Sequence, residues 1–250
     1  MSQFTWKKVV LVFQGCFTFV FSIPSIGQNL SSDSLYLWFD QKIGILNSGL
    51  YASEAFVEEY QVINEKHRFF ESPNYLTGTL WCQDIPYHQV FLKYDLFQDK
   101  IIVYPREITG VSPIQLTDSQ VDSFQIRNKK FIKKIATNIG SNSIFGFFEV
   151  LVKSKNYSLL KKHRKIDVRK LNRNRVYYEF KPKDEYILEY EGSFYPIKRP
   201  KDVIGLFPLS KELQKKLLSK KTGSNVTDGS LRVLLQEIDA NLEKLKPKSL

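Results

Sequence analysis

Asp84 and His88 lie close in the sequence, and the stretch NEKHRFF sets Glu65, His67 and Arg68 together, so carboxylate, imidazole and guanidinium stand within reach of acid–base chemistry. Proton transfer needs groups that converge on one reacting atom, and nearness in sequence does not establish that. Both groupings read as surface or hydrogen-bonding residues. The remaining histidine, His163, sits in a third context, and no histidine has a second His or Cys at metal-ligand spacing. Cys82, in GTLWCQD, could serve as a nucleophile, but a lone free cysteine more often packs as a small apolar residue. The strings HExxH, GxSxG, GxGxxG and GxxxxGK are absent. The expectation is a non-enzymatic chain without catalytic, cofactor or metal residues; a dispersed triad is not legible at this level.

Charge is distributed more unevenly than the formal total of +11 conveys. Residues 28–126 carry −7 and residues 127–183 carry +14, followed by −2 over 184–199 and +4 over 200–250. The centre of the basic block is YSLLKKHRKIDVRKLNRNRVYYEF, where Lys161, Lys162, Arg164, Lys165, Arg169 and Lys170 are candidate contacts to an anionic surface. Such a block raises nucleic acid as a partner, because neutralising phosphates supplies most sequence-independent affinity. The N-terminus argues against that. MSQFTWKKVVLVFQGCFTFVFSIPSIGQ has two lysines, an apolar run and small residues at Ser25 and Gly27, the layout of a secretory signal.

Cleavage is expected between Gly27 and Gln28, leaving residues 28–250 with Cys82 as the only cysteine and no intrachain disulfide. The alternative is a retained anchor, which Gln14, Gly15 and Pro24 weaken. Lipid attachment at Cys16 is disfavoured by the short apolar stretch before Gln14. For an exported chain the anionic partners are lipid headgroups, acidic glycans, an acidic protein face or its own acidic N-terminal third. The plainer reading of the same lysines is that they guard exposed strands against edge-to-edge pairing. Sequons at Asn29, Asn156 and Asn225 matter only in a eukaryotic secretory pathway.

The elements that would position these residues fall into three segments after the signal at 1–27. Residues 28–72 read as helical or irregular, with a short helix over 52–60 capped by Ser53. Residues 73–199 alternate short Val, Ile, Tyr and Phe runs with polar turns, which argues an antiparallel β unit. Strands are expected near 76–82, 87–94, 99–104, 121–127, 130–135, 145–153, 157–163, 175–181, 184–190 and 193–198. A meander of about ten strands must curl or split, so the fold class is mainly β, a strongly curved sheet or open barrel. Residues 200–250 read as two to three helices interrupted at Pro208. Leu213, Leu217 and Leu218, then Leu231, Leu234, Leu235, Ile238 and Leu242, form apolar stripes expected to cover the sheet.

The ending SIGQ of the signal, NEKHRFF, VFLKYDLFQDKIIVY and YYEFKPKDEYILEYEGSFYPIKRPKDVIGLFP together resemble a family of exported, signal-bearing proteins of Bacteroidota. The likeness runs from about residue 44 to 218 and is one of overall pattern. It implies a periplasmic or outer-membrane-associated location and brings no catalytic residues with it. The leading expectation is therefore a non-catalytic envelope protein that binds another envelope component, an outer-membrane protein or its assembly machinery. The alternative is a carrier that holds a lipid or other apolar ligand in the concave face of the sheet. At most it is peripheral to the membrane.

Overall fold

Tight turns set the register of the β unit. Gln83–Asp84, Arg173–Asn174 and Glu191–Gly192 each place two successive residues at positive φ, the backbone of the two-residue hairpin turn whose twist matches the strands it joins. The computed structural model describes residues 35–36, 50, 53–106, 110–136, 144–219 and 226–245. The signal, Cys16, Tyr51, Ala52, Asn29 and Asn225 lie outside them.

The strands are β1 (Glu54–Ala55), β2 (Leu76–Cys82), β3 (Ile85–Asp95), β4 (Lys100–Tyr104), β5 (Ile114–Gln115), β6 (Val121–Ile126) and β7 (Lys129–Ala136). They continue with β8 (Ile144–Lys153), β9 (Tyr157–Lys162), β10 (Lys165–Asn172), β11 (Arg175–Pro182), β12 (Glu185–Tyr190) and β13 (Ser193–Ile197). Eleven of them form one antiparallel sheet in the order β1-β5-β4-β3-β2-β6-β7-β8-β9-β12-β13, which does not close on itself. The fold is mainly β, with a sheet of the size expected to curve and helices following it.

The simple meander is interrupted at three points, the first being that β1 pairs at the sheet edge with β5 and not with β2. After running outward from β2 to β5 the chain returns to pair β6 with β2, and between β9 and β12 it leaves the sheet to build the separate β10–β11 hairpin. The helix expected over 52–60 is corrected: among its described residues, Glu54–Ala55 is a strand and Phe56–Tyr60 has no helix. Helix propensity loses there to pairing at the sheet edge, where Glu54 and Ala55 face Gln115 and Ile114 and the Phe56 amide donates to the Pro113 carbonyl at 2.7 Å. Ser53, expected as a cap, donates instead to Gln120 Oε1 at 2.7 Å.

Two large apolar cores result among the described residues, beside a smaller cluster of Phe148, Leu160 and Ile187. Phe70, Tyr94, Phe124, Phe131 and Phe147 close on one another across β2–β8, with Phe124 and Phe131 stacked at 4.5 Å and the other rings meeting edge to face. The second core lies under the helices α1 (Pro200–Ile204), α2 (Lys211–Ser219) and α3 (Asp228–Leu245), whose Val203, Leu217, Leu231, Leu235 and Ile238 pack on Leu159 and Leu188 of the sheet. Pro200 opens α1, where its missing N–H costs nothing, and Asp202 accepts the Arg199 amide at 2.9 Å. Ser210 Oγ accepts the Leu213 amide, and Thr227 and Ser230 exchange amide-to-hydroxyl bonds at the start of α3. Leu218 points outward, so the α2 stripe is carried by Leu217 and the half-buried Leu213. Among the described residues no helix is long and apolar enough to cross a membrane.

Candidate functional site

Within the basic block Lys161, Lys162 and Lys165 hold the fold together, while Arg164 and the cations from Arg169 onward face outward. Lys161, Lys162 and His163 close β9 and are all buried. Lys161 Nζ donates to Asp228 Oδ1 at 2.9 Å and pairs with Asp184 at 3.2 Å, while the Tyr186 hydroxyl donates to the same Asp228 oxygen at 2.5 Å. This ties β9 and β12 to the first turn of α3. Lys162 Nζ donates to Asp99 Oδ2 at 2.6 Å over the Phe148 ring, and the Tyr94 hydroxyl donates to Asp99 Oδ1 at 2.6 Å. Gly146, at φ +101°, lies against this pair, and a Cβ there would overlap the Asp99 carboxylate. His163 Nε2 lies 2.6 Å from Glu149 Oε2, with the ring edge against Phe70. Lys165 Nζ donates to the carbonyls of His67 and Phe69 at 2.7 and 3.0 Å.

Part of the block is therefore neutralised by the chain's own acidic N-terminal third. Asp99 takes Lys162, and Glu71 takes Arg127 and Lys129 at 3.5 and 3.4 Å. Arg164 is half-exposed beside Glu185 at 3.4 Å.

Electrostatics at the Lys161 cluster give a pH test. Burial alone would raise Asp228, but the Tyr186 hydroxyl and Lys161 outweigh it and hold the carboxyl below its usual range. Burial likewise lowers Lys161, yet its bond to Asp228 and the charges of Asp184 and Asp228 raise it overall. The Asp228 contribution to stability is present above its unfolded value of roughly 3.9 and is lost as pH falls through the depressed folded one. That of Lys161 is present below roughly 10.4 and lost as pH rises through the raised one. Asp228→Asn is expected to destabilise the protein by ~1–2 kcal/mol at pH 7, with the difference from the parent narrowing in urea titrations as pH falls below roughly 3.9 and through the depressed folded value. A difference that did not narrow over that acid range would place the effect in helix capping instead.

Beyond Lys165 the chain leaves the sheet. The β10–β11 hairpin is anchored at its base: the Lys165 amide donates to Leu96 O at 3.1 Å, Phe180 N to Lys66 O at 2.9 Å and Tyr178 N to Gln61 O at 2.9 Å. Tyr60 fits edge-on against Phe97, Tyr178 and Phe180, and Glu179 accepts from Asn64 and Lys66 at 2.7 and 3.2 Å. Past Tyr178 come the pairs Lys170–Tyr177, Leu171–Val176 and Asn172–Arg175, closed by Arg173–Asn174. Arg169, Lys170, Arg173 and Arg175 are exposed there, with Asp167 at 3.8 Å from Arg169 the nearby carboxylate. Of the residues expected to contact an anion, Arg169 and Lys170 lie on this arm, Arg164 lies at its root, and Lys161, Lys162 and Lys165 are engaged inside the fold.

Arg173, Arg175, Leu171 and Val176 complete the arm and were not among the sequence candidates. The signal for them was Asn172-Arg173-Asn174, since asparagine tolerates the left-handed turn conformation.

The Glu65, His67 and Arg68 grouping does not converge. Arg68 turns inward to Asp95 while Glu65 stays exposed in a turn, and the Asp84 amide is held by Asp122 at 3.0 Å. Burial, with Lys165 and Lys93 beside it, lowers the His67 pKa. Burial and then Asp122 push the Cys82 thiol up to about 12, which suits a packed strand residue and not a nucleophile. Among the described residues no cluster of His, Cys, Asp and Glu could hold a metal. No family model, curated protein or solved structure matches the chain.

Proposed function

We propose that this protein is a non-catalytic, exported binding protein of the cell envelope that docks on an anionic envelope component through the β10–β11 hairpin. The observation that carries this reading is the division of the basic block. At the hairpin's root Lys161, Lys162 and Lys165 are spent on internal carboxylates and carbonyls while Arg164, Lys181 and Lys183 stay exposed, and Arg169, Lys170, Arg173 and Arg175 are held out on an arm that takes no part in the main sheet. A lysine that only guarded an edge of the main sheet would lie along that sheet, and neither β10 nor β11 is one of its strands. Export, a Bacteroidota envelope and the absence of nucleic acid from its partners belong to the same proposal. The carrier alternative receives less support, because the rings that would line a ligand site fill one another's space in the first core.

The test is affinity isolation from native envelopes at low salt, comparing the parent with a chain in which Arg169, Lys170, Arg173 and Arg175 are replaced by Gln, Gln, Asn and Gln. The parent is expected to retain an envelope component that the variant loses at least tenfold, and raised salt is expected to release it. Equal retention by a folded variant would overturn the reading.

A further inference from the structure

We infer that the hairpin tip is a membrane-docking element, with Leu171 and Val176 entering an anionic bilayer while the surrounding arginines and lysine take its phosphates. This rests on the binding reading above and names its partner as an anionic lipid surface. Leu171 and Val176 are directly opposed in register and share one face of the hairpin. They are 76% and 49% exposed at the far end of the arm, past the last tether to the body at Tyr178. Single exposed apolar residues are ordinary. An aliphatic pair at the end of a projecting arm, ringed by cations and with the carboxylates Asp167 and Glu179 set back toward the body, is a more specific arrangement.

The turn supplies a separate observation. Arg173 sits at φ +45°, a left-handed conformation that glycine or asparagine adopts more readily than a long side chain. The apex thus carries a guanidinium where the backbone favours a small residue. That arrangement gains if the guanidinium meets phosphate oxygens, which it can hold in a forked pair of bonds. Below the apex, Tyr177 offers a half-buried ring with a polar tip, the chemistry suited to the headgroup level. From the Leu171–Val176 pair to Tyr178 is roughly 7 Å of strand, comparable to the roughly 5–10 Å by which interfacial elements sink into a bilayer.

Charge complementarity selects the occupant. Nucleic acid would meet the cations but has no place for two aliphatic side chains. An anionic bilayer satisfies both halves of the tip at once: acyl chains for Leu171 and Val176, headgroup phosphates for Arg169, Lys170, Arg173 and Arg175.

The experiment is flotation of the full protein with vesicles of phosphatidylcholine alone or mixed with phosphatidylglycerol, at low and physiological salt. Binding is expected only to the phosphatidylglycerol vesicles. Leu171→Asn should weaken it about tenfold at fixed salt. Arg173→Asn should weaken it about fivefold and flatten its salt dependence, while leaving the melting temperature unchanged or raised because asparagine suits the turn. A tryptophan placed by Leu171→Trp should shift its emission to the blue on those vesicles only.

Absence of binding to phosphatidylglycerol vesicles at low salt would overturn the inference. Binding indifferent to Leu171→Asn would overturn it as well, leaving an electrostatic contact without insertion. The two proposals fail differently. Envelope retention lost on neutralising the arm, in a protein that ignores vesicles, would keep the binding reading and replace lipid by a protein or glycan. Envelope retention unaffected by the arm would sink both.

Discussion

Arg68→Met is expected to cost ~3–5 kcal/mol of folding stability, the range for removing one partner of a buried ion pair. Arg68 and Asp95 are both essentially excluded from solvent. Arg68 Nε lies 2.5 Å from Asp95 Oδ2, an approach whose alignment makes it an ion pair without a well-formed hydrogen bond. The guanidinium also donates to Glu58 at 2.7 Å and lies under the rings of Phe56, Tyr60 and Phe69. Methionine fills the space but leaves a buried carboxylate facing apolar atoms.

The pH dependence distinguishes this cause from lost packing. Burial raises the Asp95 pKa, and Arg68 with the amides of Phe97 and Gln98 pulls it back. Removing Arg68 raises it further, so the native variant binds its proton more readily than the unfolded chain does. The deficit should therefore narrow as pH falls from 7 toward roughly 4, measured by urea titration at each pH. A deficit constant across that window would mean the cost is one of packing.

Asp99→Ala should cost ~2–3 kcal/mol, less than Arg68→Met because Asp99 keeps some solvent. It strands the Lys162 ammonium and removes the short bond from Tyr94, whose hydroxyl keeps only a longer contact to Phe147 O at 3.4 Å. Here the pH signature has the opposite sign. Burial lowers the Lys162 pKa and Asp99 offsets it. Without Asp99 the lysine falls further, the unfolded chain becomes the better proton binder, and the deficit narrows as pH rises toward roughly 10. Adding Lys162→Met, whose stem can remain against Phe148, should recover ~1 kcal/mol or more, read as the coupling in a double-mutant cycle. Additive costs would show that the two residues act independently.

Both pairs mark where sequence reasoning reached its limit. The runs around Leu76–Cys82, Lys100–Tyr104 and Glu185–Tyr190 were legible as strands because each packs into a core and alternates or saturates with apolar residues between clear turns. β10 was not. KIDVRKLN carries charge on both faces, and its outer half buries neither face, so no period of two develops. The helix expected over 52–60 had adequate local propensity and lost to pairing with Ile114–Gln115, residues far away in sequence.

The same distance hid the fate of the lysines. Lys161 and Lys162 look like Arg169 and Lys170 on the page, and only their partners, Asp228 and Asp99, separate an internal cation from a projecting one. Export is an expectation from residues 1–27, which lie outside the described residues.

The placement of the hairpin bears on how the sheet assembles. β9 meets β12 through Lys162–Glu185, so that closure must span residues 163–184. Within that span Lys165 already pairs with Pro182. If the hairpin forms first, the effective loop shrinks to the few residues outside it, and the closure entropy falls by about 1.5 kcal/mol on logarithmic loop scaling. The arm that reaches outward in the finished protein thus also acts as a local clasp during folding, drawing together two strands that the chain order would otherwise leave apart.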